Sequence, residues 1–419
     1  MSAIDTNYDC LVMGAGPAGS TVATLVAAAG YRTLLVERSK MPRPHVGESL
    51  MPETYWIFER LGILSQLRKD IYARKVGVQF VSSSGKESAP FYFRSHDDRE
   101  CSETWHVDRA DFDKLMFDNA AKQGAECRDQ TRALDVVMDG DYAVGARLQT
   151  PEGETCEVSA RVVVDATGQQ SLLASKLGLK RMNPKLRKAS IWRHFRGGKV
   201  DIEGGGVKTV ILQTTENRSW FWYIPQADDL VSVGLVGDND YLLRGRGSPE
   251  EVFAEEMANC PTLADWLSNA EQADDLRVVK EFSYTTDRSA GNGWVMVGDA
   301  WGFIDPIYSS GVYFALKSAE LAADAILDGF CSNDLSAHVL GRWVADFSRQ
   351  THLIRKLVHA FYSGEFRVGQ FVQEFPQHQS ELVDLLIGRV FDGRSGKIFE
   401  DLDPWLERRL MKESQSITQ

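Results

Sequence analysis

The chain has 419 residues, of which 43% are hydrophobic and 25% are charged, and its formal net charge is −12. This composition is typical of a globular protein of ordinary core size, and the negative charge argues against nucleic acid or an anionic membrane surface as the main partner. No stretch approaches the ~20 apolar residues of a membrane span, and no signal-peptide pattern opens the chain, so we expect a cytoplasmic protein.

Six cysteines lie far apart in the sequence, without a C-x-x-C pair or a neighbouring histidine cluster. Such spacing predicts reduced thiols, as in cytoplasmic proteins, and no metal site. These cysteines are Cys10, Cys101, Cys127, Cys156, Cys260 and Cys331.

The first predicted unit consists of a strand, a glycine-rich loop, a helix and a second strand. The strand "YDCLVM" runs directly into "GAGPAG" at 14–19, and after the helical segment "STVATLVAAAGY" the strand "RTLLVER" ends at Glu37. Glycines there allow a tight turn and close approach to a pyrophosphate, and the carboxylate binds a ribose hydroxyl. This fingerprint predicts a dinucleotide site formed by Gly14, Gly16, Ala18, Gly19, Glu37 and Arg38.

Two short motifs follow this unit. "GESLMP" occupies 47–52, where Glu48 and Ser49 by themselves would cap a helix that begins near Pro52. "RKVGVQF" contains Lys75, 61 residues after Gly14. An isolated lysine in such a basic stretch would be an ordinary surface cation.

The middle of the chain combines a predicted helix and buried strand with a long segment of alternating pattern. "HVDRADFDKLMFDNAAKQGAE" predicts a helix that begins at Asp108 or Arg109, and "ARVVVDATG" at 160–168 predicts a buried strand with a glycine turn. From about 185 to 285, aromatic-rich alternating segments such as "SWFWYIP" predict an antiparallel sheet inserted between parts of the nucleotide domain. Alternation places Trp220 and Trp222 on one face of their strand, where simple packing in the sheet would also explain them.

The segment "GWVMVGDAWGFIDPIYSSGVYFALKSAE" at 293–320 predicts a strand, a turn at Gly298 and Asp299, and a helix that opens at Ser309. The first amides of a helix lack intrahelical partners and attract anions. We therefore predict that Ser310 and Gly311 bind an anion. Residues 341–410 have a helical pattern.

In order and spacing, the fingerprint, the Arg109 helix, "VVVDATG" and "WVMVGDAWGFIDP" resemble the FAD-dependent monooxygenase superfamily with the para-hydroxybenzoate hydroxylase type of fold. The resemblance covers about residues 5–340. It implies an α/β fold with a Rossmann-like FAD-binding domain, an inserted antiparallel β-sheet substrate domain and a C-terminal helical region. The expected boundaries are 1–80, 105–180 and 285–340 for the first, 81–104 and 181–284 for the second, and 341–419 for the third.

This resemblance implies roles for further residues. Arg109 would approach the pyrophosphate or ribityl region of FAD, Asp299 would bind the ribityl chain, and the Pro306 loop would lie against the isoalloxazine ring. The remaining expected cofactor contacts are Glu48, Ser49, Gly298, Gly311 and Val312. Without the resemblance, Asp299 would be a turn former and Arg109 a helix-cap charge.

Three motifs resemble one branch, the flavin-dependent halogenases. "WFWYIP" at 220–225 fits W-x-W-x-I-P, "KVGVQF" at 75–80 fits K-x-G-[IV]-x-F, and "GESLMP" fits G-E-S-x-x-P. The resemblance implies that reduced FAD, oxygen and chloride or bromide yield hypohalous acid, which Lys75 binds beside the aromatic substrate. It also implies a halide site at Ser310 and Gly311, and a substrate pocket lined by Trp220, Trp222 and Tyr308.

Tyr308 departs from the halogenases of free tryptophan, which have a glutamate at this position. That difference favours a phenol or pyrrole substrate, free or bound to an acyl- or peptidyl-carrier protein, and leaves the base unassigned. Only one dinucleotide fingerprint occurs, so we expect a separate flavin reductase to supply reduced FAD. The alternatives are a flavin monooxygenase, a reductase of the geranylgeranyl reductase type, and a flavoprotein that binds FAD without turnover.

Overall fold

The computed structural model describes residues 4–417 except 70, 281, 282, 367 and 394. Its strands are β1 (Asn7–Met13), β2 (Thr33–Val36), β3 (Ala73–Val81), β4 (Phe91–Tyr92), β5 (Thr104–His106), β6 (Glu126–Arg128), β7 (Arg132–Asp139), β8 (Tyr142–Gln149), β9 (Thr155–Asp165), β10 (Lys180–Met182), β11 (Lys188–Arg196), β12 (Val207–Gln213), β13 (Ser219–Pro225), β14 (Leu230–Asp238), β15 (Glu271–Gln272), β16 (Arg277–Lys280), β17 (Tyr284–Thr286), β18 (Ala290–Gly291) and β19 (Trp294–Met296).

The helices are α1 (Pro17–Ala28), α2 (Thr54–Arg60), α3 (Leu64–Leu67), α4 (Arg109–Lys122), α5 (Leu172–Lys176), α6 (Asn239–Leu243), α7 (Pro249–Ala258), α8 (Pro261–Trp266), α9 (Ser310–Ser332), α10 (Ala337–Leu340), α11 (Val344–Tyr362), α12 (Val368–Glu374), α13 (Gln379–Ile387) and α14 (Ile398–Ile417). None of these helices, within the residues just given, is long and apolar enough to cross a membrane.

The first sheet has the order β18-β19-β9-β1-β2-β6, and β8 and β7 extend it from β9. Strand β1 pairs in parallel with both β2 and β9, which makes it a central strand. Leu11, Val12 and Met13 are fully buried because helices cover a parallel sheet. Helix α1 packs against α4 and α9. The glycine-rich loop therefore leaves the centre of the sheet, at the carboxyl end of β1.

The second sheet has the order β15-β11-β14-β13-β12-β3-β4, with β16 on β11 and β5 on β3. Its pairings are antiparallel except for β12 with β3. As predicted, Trp220 and Trp222 share one face, which belongs to the main core. Phe221 and Tyr223 face a second core, which α6, α7 and α8 complete.

This architecture confirms the α/β fold class, with a Rossmann-like unit, a largely antiparallel second sheet and helices at the end of the chain. Lys75 lies in β3, within the ladder of the second sheet. Of the C-terminal helices, α11 packs on α9 through Phe347, which contacts Phe314. The boundaries between the three regions stay a prediction.

Candidate active site

A cavity of about 500 Å³ lies where the two sheets meet, with walls from both. Trp222, Thr209 and Ser309 belong to its wall. Twelve of the predicted cofactor contacts also line it, namely Gly14, Gly16, Ala18, Glu37, Arg38, Glu48, Ser49, Arg109, Asp299, Pro306, Gly311 and Val312. The structure thus brings residues between positions 14 and 315 of the sequence around one space.

The loop after β1 has glycine for steric reasons. Gly14 has φ +101°, and a Cβ there would lie 2.3 Å from the carbonyl oxygen of Ala166. A Cβ on Gly19 would lie 1.8 Å from the oxygen of Gly14, so Gly19 serves packing within the loop and is not a wall residue. Gly16 precedes α1 and faces open space, because the nearest atom to an added Cβ is 3.9 Å away. The first amides of α1 are thereby accessible from the cavity.

Glu37 directly follows β2 and is 5% exposed. Its Oε2 accepts hydrogen bonds from the amide of Ala15 at 3.1 Å and from Arg43 Nη2 at 3.3 Å. Arg43 also donates to Asp113 Oδ2 at 2.8 Å. Arg43 lines the cavity beside Gly16, so a guanidinium stands where the fingerprint places a pyrophosphate. The sequence analysis missed Arg43, whose only local signal is a cation six residues after Glu37.

Arg109 is the first residue of α4, one of the two predicted starts, and the Asp108 side chain caps that helix. The Arg109 guanidinium bonds both oxygens of Asp113, at 2.8 and 3.1 Å, and donates to the carbonyl of Val46 at 2.5 Å. A Cβ on Gly47 would lie 2.9 Å from Arg109 Nη1, which explains the glycine of "GES". Arg109 therefore fixes the 46–49 segment against α4 while it lines the cavity.

Glu48 is 2% exposed, yet it lines the cavity. Its Oε1 accepts from His194 Nε2 at 2.5 Å and from Gln226 Nε2 at 2.7 Å. Among the residues described, its Oε2 has no hydrogen-bond partner. His194 Nδ1 bonds Asp274 at 2.7 Å, and although burial opposes the charge, the bonds to Asp274 and Glu48 raise the pKa of His194 to about 10. A histidinium thus offsets the buried Glu48 charge.

The turn after β19 holds Gly298 and Asp299 beside the loop of α1. Gly298 has φ +59°, and a Cβ there would lie 2.9 Å from the Cβ of Ala18. Burial raises the pKa of Asp299 to about 6, although Arg109 and Lys180 oppose this shift. Asp299 and Pro306 line the cavity, while Gly298 lies behind them.

Helix α9 begins at Ser310, and its N-cap residue Ser309 has φ 58° with no side-chain cap. The Ser309 hydroxyl instead donates to Ser49 Oγ at 3.1 Å. The uncapped start faces a nook of about 10 Å³, which is about the space that one water molecule needs. Its walls include Asp299, Trp301, Phe303, Asp305, Ser310 and Gly311.

A line of hydrogen bonds leaves the start of α9 and ends at a buried histidine. Ser49 and Thr209 hydroxyls are 2.8 Å apart, and Thr209 Oγ1 lies 2.7 Å from His106 Nε2. His106 Nδ1 lies 2.6 Å from the carbonyl of Pro225, which only accepts. Burial and the nearby Lys75 lower the pKa of His106 to about 3, so it is neutral and Nε2 accepts from Thr209. The sequence analysis missed Thr209 and His106.

Lys75 is 2% exposed and does not belong to the cavity wall. Its Nζ donates to the carbonyl of Leu50 at 2.9 Å and lies 5.5 Å from the centre of the Phe93 ring. Leu50 follows Ser49, a wall residue, so Lys75 stands one residue behind that wall. Burial lowers the pKa of Lys75 to about 7. Near neutral pH the side chain therefore exists both as an ammonium and as an amine.

The three predicted pocket residues, Trp220, Trp222 and Tyr308, do not all line the cavity. Trp222 lines the cavity, and its indole fills the space over Gly234, where a Cβ would lie 2.0 Å from the ring. Trp220 and Tyr308 instead lie against α11, each in edge contact with Phe361 at 6.2 and 6.4 Å. Trp220 Nε1 donates to the hydroxyl of Tyr362 at 3.0 Å. Helix α11 thus closes an aromatic region that the sequence assigned to the sheet and the Tyr308 loop alone.

Asp305 connects α11 to the nook at the start of α9. Its Oδ1 accepts from the amide of Ile307 at 3.0 Å and from the Tyr362 hydroxyl at 3.2 Å. Oδ2 is buried and has no partner within the described part of the chain. Burial raises the pKa of Asp305 to about 7, opposed by the Ile307 and Tyr362 hydrogen bonds and by Lys188. Asp305 is therefore poised between the carboxylate and the neutral acid.

These features fit FAD. The glycine cradle and Arg43 suit a pyrophosphate, and the orphaned Glu48 Oε2 and the partly buried Asp299 suit hydroxyl donors. Across residues 4–417, outside the five positions that are not described, no three His, Cys, Asp or Glu side chains lie close enough to hold a metal ion.

The sequence was compared with protein families and with known proteins. The model of the tryptophan halogenase family matches residues 9–102 and 91–384. The chain is 29% identical to the 1H-pyrrole-2-carbonyl-[peptidyl-carrier protein] chlorinase of Pseudomonas fluorescens, over 96% of this chain and 93% of that one. It is 30% identical to the corresponding brominase of Pseudoalteromonas luteoviolacea, over 92% and 93%.

Solved structures of flavin-dependent halogenases also resemble this chain over nearly its full length. A flavin-dependent brominase superposes with a TM-score of 0.86 at 28% identity, over 97% of this chain and 100% of that one. The myxobacterial chondrochloren halogenase superposes with a TM-score of 0.80 at 27% identity, over 96% and 97%.

Proposed function

This chain belongs to the flavin-dependent halogenase family, and on that premise we propose that it halogenates a pyrrole ring held as a thioester on a peptidyl-carrier protein. It is an FAD-dependent enzyme, and enzymes of this family use chloride or bromide. The observation that carries the substrate class is the match over nearly the full length of two enzymes that act on such a thioester. Tyr308, in the position where tryptophan halogenases have a glutamate, supports the same class.

Reduced FAD, with oxygen, supplies the oxidising equivalent that turns halide into hypohalous acid. We assign the glycine loop, Glu37 and Arg38 to the ADP half of the cofactor. Arg109, Glu48 and Asp299 hold the ribityl and pyrophosphate region, and Pro306 and Val312 lie at the ring. The remaining assigned contacts are Ser49 and Gly311, while Gly298, behind the cavity wall, shapes the turn that presents Asp299. Because the sequence contains one dinucleotide fingerprint, we assign the reduction of FAD to a separate flavin reductase.

Lys75 is the catalytic residue in this proposal. As an ammonium it donates a hydrogen bond to the oxygen of hypohalous acid, so that this oxygen leaves as water when the pyrrole carbon takes the halogen. The carbon then loses its proton, and the sum is Ar–H plus HOX giving Ar–X plus water. The burial of Lys75 supports this role, because water is excluded around Nζ, and only the Ser49–Leu50 segment separates Nζ from the cavity.

The uncapped start of α9 is the proposed halide site, at the amides of Ser310 and Gly311. Asp305 lines the same nook, and an ionised carboxylate would repel a halide. The groups that face Asp305 are the Tyr362 hydroxyl, the Ile307 amide and, at longer range, Lys188. Since burial raises the pKa of Asp305 to about 7, the nook accepts halide best below that pH.

We expect halide affinity to fall as the pH rises through about 7, and to lose the part of this fall that is centred near pH 7 in Asp305→Asn. Titration of bromide against the absorbance of bound FAD at several pH values measures this. The matched control is Asp299→Asn, because Asp299 lines the same nook but has a pKa of about 6. An unchanged pH dependence in Asp305→Asn would contradict the role of Asp305.

The experiment that tests the proposed function uses the pyrrolyl thioester of a peptidyl-carrier protein, reduced FAD, oxygen and each halide. The expected product has halogen in place of ring hydrogen, detected by the intact mass of the carrier. NADPH without a reductase is expected to give no product. Halogenation of a free phenol but not of the thioester would instead identify the phenol branch.

A further inference from the structure

We infer that the surface formed by Lys185, His352, Arg355 and His359 is where the carrier protein docks, with the phosphodiester of its prosthetic arm as the group recognised. This inference rests on the proposed carrier-bound substrate. We name these four residues the basic strip. It has no part in the FAD cavity, and nothing in the sequence motifs pointed to it.

The strip carries positive charge without internal compensation. Arg355 is partly buried, and burial lowers the pKa of its guanidinium. Among the described residues, neither Arg355 nor Lys185 has a carboxylate within ion-pair distance. Two other cations of α11 differ, because Arg349 pairs with Asp346 and Lys356 with Asp403. On a chain of net charge −12, an uncompensated, partly buried guanidinium costs stability and suggests an external anion.

The histidines of the strip report the same positive potential. Burial and then Arg355 and Lys356 lower the pKa of His352, and the carboxylate of Asp403, which pairs with Lys356, opposes this shift without reversing it. Burial, Arg355, Lys185 and His352 lower the pKa of His359. An anion bound at the strip would reverse these effects, since it stabilises the protonated imidazoles.

A cavity of about 700 Å³ lies at the outer end of the strip, between α11 and the 285–290 segment. Arg355 and His352 line it, together with the exposed Arg288 and several hydroxyl-bearing residues. The carboxylate of Asp287 also lines it, but its charge is paired with Arg181 at 2.5 Å. Two guanidinium groups with hydroxyls around them suit a phosphate, which takes planar, bidentate donors well. The hydroxyl-bearing residues are Thr285, Thr286, Ser289, Ser348 and Thr351.

Helical geometry connects this cavity to the aromatic region of the active site. His352, Arg355, His359 and Tyr362 recur at spacings of three, four and three, so they share one face of α11. The hydroxyl of Tyr362 accepts from Trp220, a predicted pocket residue. From Arg355 to Tyr362 the helix rises only about 10 Å.

A pantetheine arm is long enough for this path. It contains the backbone equivalent of at least four residues, so it extends beyond about 13 Å. With its phosphate at Arg355 and Arg288, the thioester of the arm would reach Tyr362 and Trp220. The carrier itself would then cover the exposed Lys185 and His352.

The test compares FAD-loaded wild-type enzyme with Arg355→Gln and Lys185→Gln. The matched control is Arg349→Gln, one turn before the strip on α11, because Asp346 already compensates the charge of Arg349. Binding of the loaded carrier is measured by fluorescence anisotropy. Each strip variant is expected to weaken binding about tenfold, while the control binds like the wild type.

A second measurement compares KM for two pyrrolyl thioesters, of phosphopantetheine and of pantetheine. The phosphate is expected to lower KM about tenfold in the wild type, and this advantage is lost in Arg355→Gln.

The possible results distinguish a failure of the inferred docking surface from a failure of the proposed function. If the variants bind the loaded carrier as tightly as the wild type, which itself halogenates it, the strip is not the docking surface. If carrier binding weakens but the phosphate advantage is absent, the phosphodiester is not the group that the strip recognises, and the inference is wrong in that part. In the third case, the wild type halogenates a free aromatic but neither binds nor halogenates the loaded carrier. That result would overturn the proposed carrier-bound substrate, and the inferred docking surface with it.

Discussion

Lys75→Met is expected to lower the rate of halogenation by on the order of a thousandfold or more, with FAD binding retained. Methionine matches the lysine side chain except for its terminal amine and fills most of the buried site between Leu50 and Phe93, so the fold should persist. The substitution removes the amine nitrogen, and with it the donor to hypohalous acid. Product mass and FAD fluorescence measure the two effects.

Lys208→Met is the matched control for this substitution. Lys208 is also buried, at 5% exposure, and lies in β12, the strand paired with β3. Its Nζ is occupied by Asp201 and Glu203, at 3.0 and 2.8 Å. Lys208→Met is expected to change stability but not the halogenation rate of folded enzyme. Full activity in Lys75→Met would contradict the proposed mechanism.

Gly16→Val is expected to weaken FAD binding by about two orders of magnitude and to remove activity in proportion. Its backbone, at φ −75°, suits any residue, and an added Cβ meets nothing closer than 3.9 Å, so the loop should fold normally. The branched side chain would instead occupy the approach to the first amides of α1. Two hydrogen bonds from those amides to a charged pyrophosphate are worth about 3 kcal/mol, which is roughly a hundredfold.

Ala28→Val is the control, since it adds the same branch to the exposed far end of α1. Equilibrium titration with FAD, followed by flavin fluorescence, measures both variants. Thermal unfolding of the two apoproteins shows whether the fold is kept. FAD affinity equal to that of the wild type in Gly16→Val would contradict the placement of the pyrophosphate.

The parts of the site that local rules determine were predictable from the sequence. Turn chemistry requires glycine at Gly14, where φ is +101°, and strand alternation placed Trp220 and Trp222 on one face. The cap at Asp108 is equally local. Each of these depends on residues within one or two turns or strands, so a single chain reveals them without knowledge of topology.

The parts that depend on distant pairing were not predictable. Thr209 meets Ser49 and His106 only because β12, β5 and the 46–49 segment converge across the second sheet. Tyr362 meets Asp305 and Trp220 only because α11 folds back over the sheet. Threonine, histidine and tyrosine at these positions carry no local pattern. The resemblance to a family placed Lys75 near the flavin, but its burial and lowered pKa follow from the packing of β3 alone.

The intact mass of a pyrrolyl-loaded carrier protein, after incubation with the enzyme, reduced FAD, oxygen and chloride or bromide, tests the central proposal most directly. The proposal predicts halogen in place of ring hydrogen with the wild type, and no change of mass with Lys75→Met. An oxygen added to the ring, or halogenation that persists without Lys75, would contradict it.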